Sequence, residues 1–239
     1  MYKLEEKVMG RLFITGDTHA DFGKLWRLYK QYNTTKDDMV IILGDSGLNY
    51  MSGGVTRITK ENLSRLPLTV VCIHGNHEQR PECIPTYNEI KWCEGVVMIE
   101  DKYPSLVFLK DGETYYINGK SFFVMGGAYS PDKKYRIAHN YPWYDNEQPS
   151  EDLKASVKAK LSHGKTSVDF VLTHTCPYSY IPFDLLQSNA DYEEIDYSTE
   201  LWLDEIKEML SYQCWYCGHY HIDFDSTDCR FLYDRVILL

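Results

Sequence analysis

Several features that would take this chain out of a reduced, aqueous setting are missing. No apolar run approaches the length of a membrane span. The opening stretch MYKLEEKVMG lacks the apolar core of a secretory signal. Seven cysteines are an odd number, and they follow no framework spacing, so a disulfide scaffold is a poor fit. These absences predict a cytoplasmic protein. Positive charge is also scarce: 25 Lys and Arg stand against 35 Asp and Glu, a formal net charge of −10. That balance works against non-specific binding to nucleic acid or to an anionic membrane. A phosphate-bearing ligand would need a strong local positive charge to overcome it. No repeat, low-complexity tract or linker interrupts the 239 residues, so 1–239 read as a single domain.

The chain does hold short apolar, β-branched runs. RLFITG, DMVIILG, LTVVCIHG and VDFVLTH are of the kind buried on both faces of a sheet. Between the first two, DFGKLWRLYKQY places Phe22, Leu25, Trp26, Tyr29 and Tyr32 on one helical stripe, with Asp21 as N-cap. Asn118-Gly119 between two aromatic runs predicts a hairpin. GVVMIE and SLVFL precede it, so antiparallel strands are set into an alternating α/β chain. Helices are expected from near Ser150 and through TELWLDEIKEML, and the last strands are CWYCGH and RFLYDRVILL. Residues 129–149 are aromatic and proline-containing without a period, and read as a long ordered loop. Cys214 and Cys217 form a C-x-x-C without a second pair. On a strand they would point to opposite faces, which favours a structural role.

Polar residues of one chemical type collect at the ends of these runs. FITGDTH delivers Asp17 and His19, IILGDSG delivers Asp45, and IHGNHE delivers Asn76 and His77. VLTHTCP delivers His174, and CGHYH delivers His219 and His221. The carboxyl ends of strands converge on the ligand crevice in α/β sheets. Glycine beside most of these groups lets the backbone turn sharply. Imidazoles mixed with carboxylates suit Mn, Fe or Zn better than Ca or Mg. With two carboxylates among the donors, two divalent ions leave a formal charge of about +2, which favours a phosphate guest. A lone D-x-H or G-D is usually only a turn. Five such elements in order, each after an apolar run, point instead to one site. His74, His139 and His163 have no such company and read as ordinary structural or surface residues.

The ordered set D-x-H, G-D, G-N-H-E, T-H and G-H-x-H resembles the calcineurin-like metallophosphoesterases, from Asp17 to His221. GDTHADF, GGAYSPDKKYR, NEQPS, VDFVLTHTCP and WYCGHYHID are similar to the signatures of a bacterial and phage subgroup of that superfamily. The G-N-H-E form also resembles the serine/threonine phosphoprotein phosphatases. The resemblance implies a four-layer α-β-β-α sandwich of two mixed β-sheets flanked by helices. It implies one metal held by Asp17, His19 and His221, another by Asn76, His174 and His219, and Asp45 between them. The cofactor expected is a pair of divalent transition ions, with manganese the ion to add in vitro. The expected reaction is in-line attack of a hydroxide held between the metals on a phosphate ester, with His77 as general acid.

The sequence departs from the family pattern in two places. Ala20 stands where glycine is common. GDSGLNY lacks the second aspartate and the arginine of the protein phosphatases, with Leu48 at the aspartate position. Arg136 and Arg80 are the candidates for gripping phosphate, because a guanidinium fork matches phosphate geometry. Glu78 is the candidate for orienting His77. A phosphodiesterase or a nucleotide pyrophosphohydrolase would use the same donors. A non-catalytic scaffold would be expected to have lost some of them, and a closed structural zinc site would favour cysteine.

Overall fold

The structure, a computed structural model, describes residues 10–51, 53–186 and 195–239. The opening stretch read for a leader falls mostly outside these residues. One sheet has seven strands, in the order β15 (Val236–Leu238), β1 (Leu12–Thr15), β2 (Met39–Ile42), β3 (Thr69–Cys72), β6 (Leu106–Leu109), β5 (Gly95–Glu100) and β4 (Tyr87–Trp92). The other has six: β13 (Phe224–Asp225), β14 (Cys229–Phe231), β12 (Cys214–Cys217), β10 (Phe170–Thr173), β8 (Lys120–Met125) and β7 (Thr114–Ile117). A short parallel pair, β9 (Thr166–Ser167) and β11 (Leu210–Ser211), stands apart. β1, β2 and β3 run parallel in the first sheet, as β8, β10 and β12 do in the second.

Side-chain alternation explains the layering. Ile14, Ile41 and Val71 of the first sheet share an inner core with Phe122, Val124, Leu172 and Tyr216 of the second. Their neighbours Phe13, Val40, Ile42 and Val70 face outward, onto Leu25 and Leu28 of α1 (Gly23–Tyr32) and Leu63 of α2 (Gly54–Leu63). On the far side, Phe123, Val171 and Trp215 meet Val157 and Leu161 of α4 (Glu151–Leu161) and Trp202, Leu203 and Ile206 of α5 (Ser198–Met209). The strands read as unbroken apolar runs because both faces are covered. The result is the expected sandwich of two mixed sheets between helices. Truncating a fully buried side chain such as Phe122 would cost about 3–5 kcal/mol.

Several local expectations meet the structure directly. The side chain of Ser150 accepts the Leu153 N–H at 3.2 Å and caps α4. Asn118 and Gly119 take φ of +52° and +75°, and join β7 to β8 with Ile117 opposite Lys120. Cys214 packs against the inner core and Cys217 in the outer one, on opposite faces of β12. Other expectations need correction. On α1, Leu25 and Leu28 are buried while Trp26 and Tyr32 are largely exposed, so the buried stripe is narrower than aromatic spacing suggested. Asp21 takes the Gly23 N–H at 2.9 Å, but Phe22 occupies the cap position. The loop at 129–149 contains a short helix, α3 (Lys133–Ala138). Among the described residues no helix is long and apolar enough to cross a membrane.

Candidate metal centre

The two sheets meet along their carboxyl edges. The His174 ring donates from Nδ1 to the Leu43 carbonyl, 2.8 Å away in the other sheet. The His219 N–H donates to Asp17 Oδ1 at 2.9 Å, and the Thr18 and His19 N–H groups donate to the Asp45 carbonyl at 3.1 and 2.8 Å. Four of the polar residues singled out in the sequence, His19, Asp45, His219 and His221, have positive φ despite carrying side chains. That conformation is uncommon outside glycine, and the surrounding hydrogen bonds hold it. Tight packing accompanies it: a Cβ on Gly75 would lie 2.0 Å from Asp45 Oδ1.

The donor atoms fall into two adjoining groups. Asp17, His19 and His221 each offer one atom within 4.8 Å of the others. His19 Nε2 faces His221 Nε2 at 2.9 Å, and Asp17 Oδ2 lies 3.7 and 3.3 Å from them. In the second group, Asn76 Oδ1 lies 2.7 Å from His174 Nε2 and 3.1 Å from His219 Nδ1. Asp45 Oδ2 stands between the groups, 4.0 Å from His19 Nε2 and 3.8 Å from His174 Nε2.

This donor set fits divalent cations on two grounds. Asp17 Oδ2 is buried and, among the described residues, has no well-formed hydrogen bond. The imidazoles are also set up as lone-pair donors. The Leu43 carbonyl accepts a hydrogen bond from His174 Nδ1–H, which leaves Nε2 as the lone-pair nitrogen. The Asn76 amide donates from Nδ2 to Ser130 Oγ at 2.8 Å, which turns Oδ1 toward the two histidines. Burial pushes the His19 and His219 pKa values down, keeping both rings neutral as ligation requires. At His221, the contact with Asp17 pushes the pKa up. Burial alone would raise the Asp17 pKa, but His221 and the neighbouring rings outweigh it and hold the carboxyl well below its usual range.

Two supports here carried no sequence signal. Lys24, on α1, is buried and donates Nζ to the Gly16 and Asp17 carbonyls at 3.0 and 2.7 Å, and to that of Tyr233. Burial pushes its pKa down to about 8 against the pull of Asp17. Tyr233 in turn stacks on His221 with ring centroids 4.7 Å apart.

His77 sits beside both groups. Its N–H donates to Asp45 Oδ1 at 2.8 Å, its Nδ1 lies 3.6 Å from Asp45 Oδ2, and its Nε2 meets Asp132 Oδ1 at 3.2 Å. Burial pulls the His77 pKa down, but the Asp132 hydrogen bond and the Asp45 charge outweigh it, and the net shift is upward. Glu78 does not orient His77. It is buried, accepts the Ser46 hydroxyl at 2.6 Å and the Gly75 N–H at 3.2 Å, and so ties two turns together. Burial pushes its pKa up to about 7. Leu48 is buried in the outer core, and the acid facing His77 comes from the 129–149 segment instead. His19, Asp45 and His77 also offer atoms within 4.8 Å of one another, so His77 could serve as a ligand as well as a proton donor.

The two arginines are engaged elsewhere. The Arg136 side chain is only 4% exposed, donates Nε to the Pro142 carbonyl at 2.9 Å, and lies over the Tyr50 ring. Arg80 pairs with Asp111 and donates Nε to the Asn146 carbonyl at 2.8 Å. Neither lines the cleft at the metal groups. Both sit in the loop framework because a buried guanidinium must spend its donors on nearby carbonyls and carboxylates. His74 is buried, with Nε2 against the Glu78 carbonyl at 2.9 Å, and burial pushes its pKa well down. His139 stacks on Tyr135 at the surface.

A cleft of about 660 Å³ opens over the groups, with Asp45, Asn76, His219 and His221 along its floor, His77 beside them and Asp132 on its wall. Among solved structures, the chain is similar to TT1561 of Thermus thermophilus, at 10% identity and a TM-score of 0.47, covering 94% of this chain and 88% of that one. It is also similar to the protein of unknown function AQ665 from Aquifex aeolicus, at 13% identity and a TM-score of 0.33, covering 69% and 80%. No curated protein matches the sequence. The family model for calcineurin-like phosphoesterases matches residues 10–223, a span that includes every donor named above. By that match the chain belongs to the calcineurin-like phosphoesterase family.

Proposed function

We propose that the protein is a metal-dependent phosphoesterase of the cytoplasm, acting on a phosphorylated substrate with His77 as general acid. The observation that carries this reading is the meeting of seven donor residues from five strand ends, with a buried carboxylate oxygen of Asp17 among them that has no well-formed hydrogen bond among the described residues. Asp17, His19 and His221 would hold one divalent ion, Asn76, His174 and His219 the other, and Asp45 would contact both. Ions bound there supply Lewis-acid polarisation of the phosphoryl oxygens and a water acidic enough to act at neutral pH. His77 is held between Asp45 and Asp132 beside the cleft, and its protonated imidazole would have a ring proton to give. That proton goes to the leaving alkoxide or phenoxide. Asp132 fixes the ring and favours its protonated form.

The test is a turnover panel with added Mn²⁺. It would compare aryl phosphate mono- and diesters, dinucleoside polyphosphates and phosphopeptides. Hydrolysis of at least one class, lost on chelation and restored by metal, is the expected result. A protein that binds metal and hydrolyses none of them would overturn the reading in favour of a binding module.

A further inference from the structure

The cleft has a floor of donors and walls of another kind. Ile181, Leu185, Leu186, Ile195, Ile222 and Tyr197 line it. Among the described residues no Lys or Arg does. Among the described residues, the carboxyls lining the cleft besides the proposed donor Asp45 are Asp132 and Glu200. Glu200 is buried, with Oε1 accepting from the Thr175 hydroxyl at 2.7 Å. Arg136 does not line the cleft: its Nη1 lies 4.0 Å from Asp132 Oδ1, and its Nε donates to the Pro142 carbonyl.

We infer that the ester cleaved here is a phosphodiester bearing an apolar or aromatic substituent, an inference that rests on the phosphoesterase function proposed above. A monoester presents three unesterified oxygens and is largely dianionic at pH 7. Two bound ions could engage two of those oxygens, and the third would face a wall with no Lys or Arg among the described residues and with Asp132 nearby. A diester has only two unesterified oxygens and a single charge. Its third position carries an organic group, and that group is what an apolar wall accommodates. The cleft volume lies in the range of small-molecule sites and far exceeds a phosphoryl group. In the reaction, water adds its oxygen to phosphorus, one ester P–O bond breaks with its electron pair going to the leaving oxygen, and that oxygen takes a proton from His77; one proton of the water stays on the product phosphate and the other goes to solvent, from which His77 is reprotonated. The retained substituent stays on the product monoester, which the cleft binds less well, so it leaves intact.

Three probes sharing the nitrophenolate leaving group test this: p-nitrophenyl phosphate, methyl p-nitrophenyl phosphate and phenyl p-nitrophenyl phosphate. With the Mn²⁺-loaded protein, kcat/KM for the phenyl diester should exceed those of the methyl diester and the monoester by about tenfold or more each, since burying an aryl ring contributes on this scale. Leu185 is half-exposed at the rim, so Leu185→Glu should fold and keep its metal. It should lower kcat/KM for the phenyl diester about fivefold more than for the methyl diester. A monoester turned over faster than either diester, equal rates on the two diesters, or equal effects of Leu185→Glu on both would overturn the inference and leave the phosphoesterase function standing. Failure to hydrolyse all three would count against the function itself.

Discussion

The floor and the walls of the cleft are built on different principles. The floor comes from residues just beyond strand ends: Asp17, Asp45, Asn76 and His174 are each no more than 2% exposed, and side chain–backbone hydrogen bonds tie Asp17 to His219 and His174 to Leu43 across the sheets. The walls come from residues 129–132, 181–186 and 195–197, where Asp132 and Leu185 are about half exposed. A group fixed on rigid elements suits chemistry that tolerates little displacement, whereas loops set which substituent fits. Changes to the floor should therefore abolish turnover, and changes to the walls should alter selectivity.

The largest expected effect lies in the floor. Gly75→Ala would drive a Cβ to 2.0 Å from Asp45 Oδ1 and 2.1 Å from its nitrogen. Steady-state turnover should fall by roughly 10³ or more, the scale of losing a main electrostatic contact to the reacting phosphate. Near-normal activity would mean that the floor is far more plastic than its burial indicates.

His77 stands between floor and wall. His77→Ala should slow hydrolysis by roughly 10²–10⁴ for a poor alkoxide leaving group, and far less for nitrophenolate, which needs little help from a proton. Metal content should stay the same. Equal losses on both esters together with lost metal would make His77 a ligand instead.

A smaller effect is expected at Asp132. Asp132→Asn should reduce kcat/KM by about tenfold, the loss of one orienting hydrogen bond to a charged ring. The sign of the pH effect follows from the contacts. The Asp132 carboxylate raises the His77 pKa against the pull of burial, so removing that charge lowers the pKa. The alkaline limb of the pH profile, where the acid form is lost, should move to lower pH. An unmoved limb would separate Asp132 from His77.

Arg136 should give the smallest change in catalysis. Arg136→Ala removes the Nε donor to the Pro142 carbonyl and should cost about 1–3 kcal/mol in thermal or denaturant unfolding. KM for a good substrate should move less than about twofold. A tenfold rise in KM with unchanged stability would restore Arg136 to phosphate binding.

The same contrast explains how much was legible in the sequence. The central strands could be read because both of their faces are covered, leaving apolar runs such as VVCI and FVLT. The floor could be read because each donor follows such a run within a few residues, so local spacing encodes position. The walls could not. Asp132 reaches His77 across 55 positions of sequence, and nothing in SPDKK marks it as the partner of that ring. Glu78, next to His77 in sequence, was the nearer guess, yet its carboxylate turns inward to Ser46. Arg136 and Arg80 have the right chemistry for phosphate, but their orientation depends on loop carbonyls and carboxylates that spacing does not reveal. α2 begins after Gly53 without a side-chain cap and gave no start signal.

Metal stoichiometry tests the central claim most directly. Purified protein, stripped with chelator and titrated with Mn²⁺ under calorimetry and elemental analysis, should bind close to two ions per chain, as a two-metal site requires. Asp45→Asn should weaken both, because one carboxylate stands between the two donor groups, with Oδ2 at 4.0 Å from His19 Nε2 and 3.8 Å from His174 Nε2. Fewer than one ion in the wild type, or two ions held with undiminished affinity in Asp45→Asn, would contradict the account.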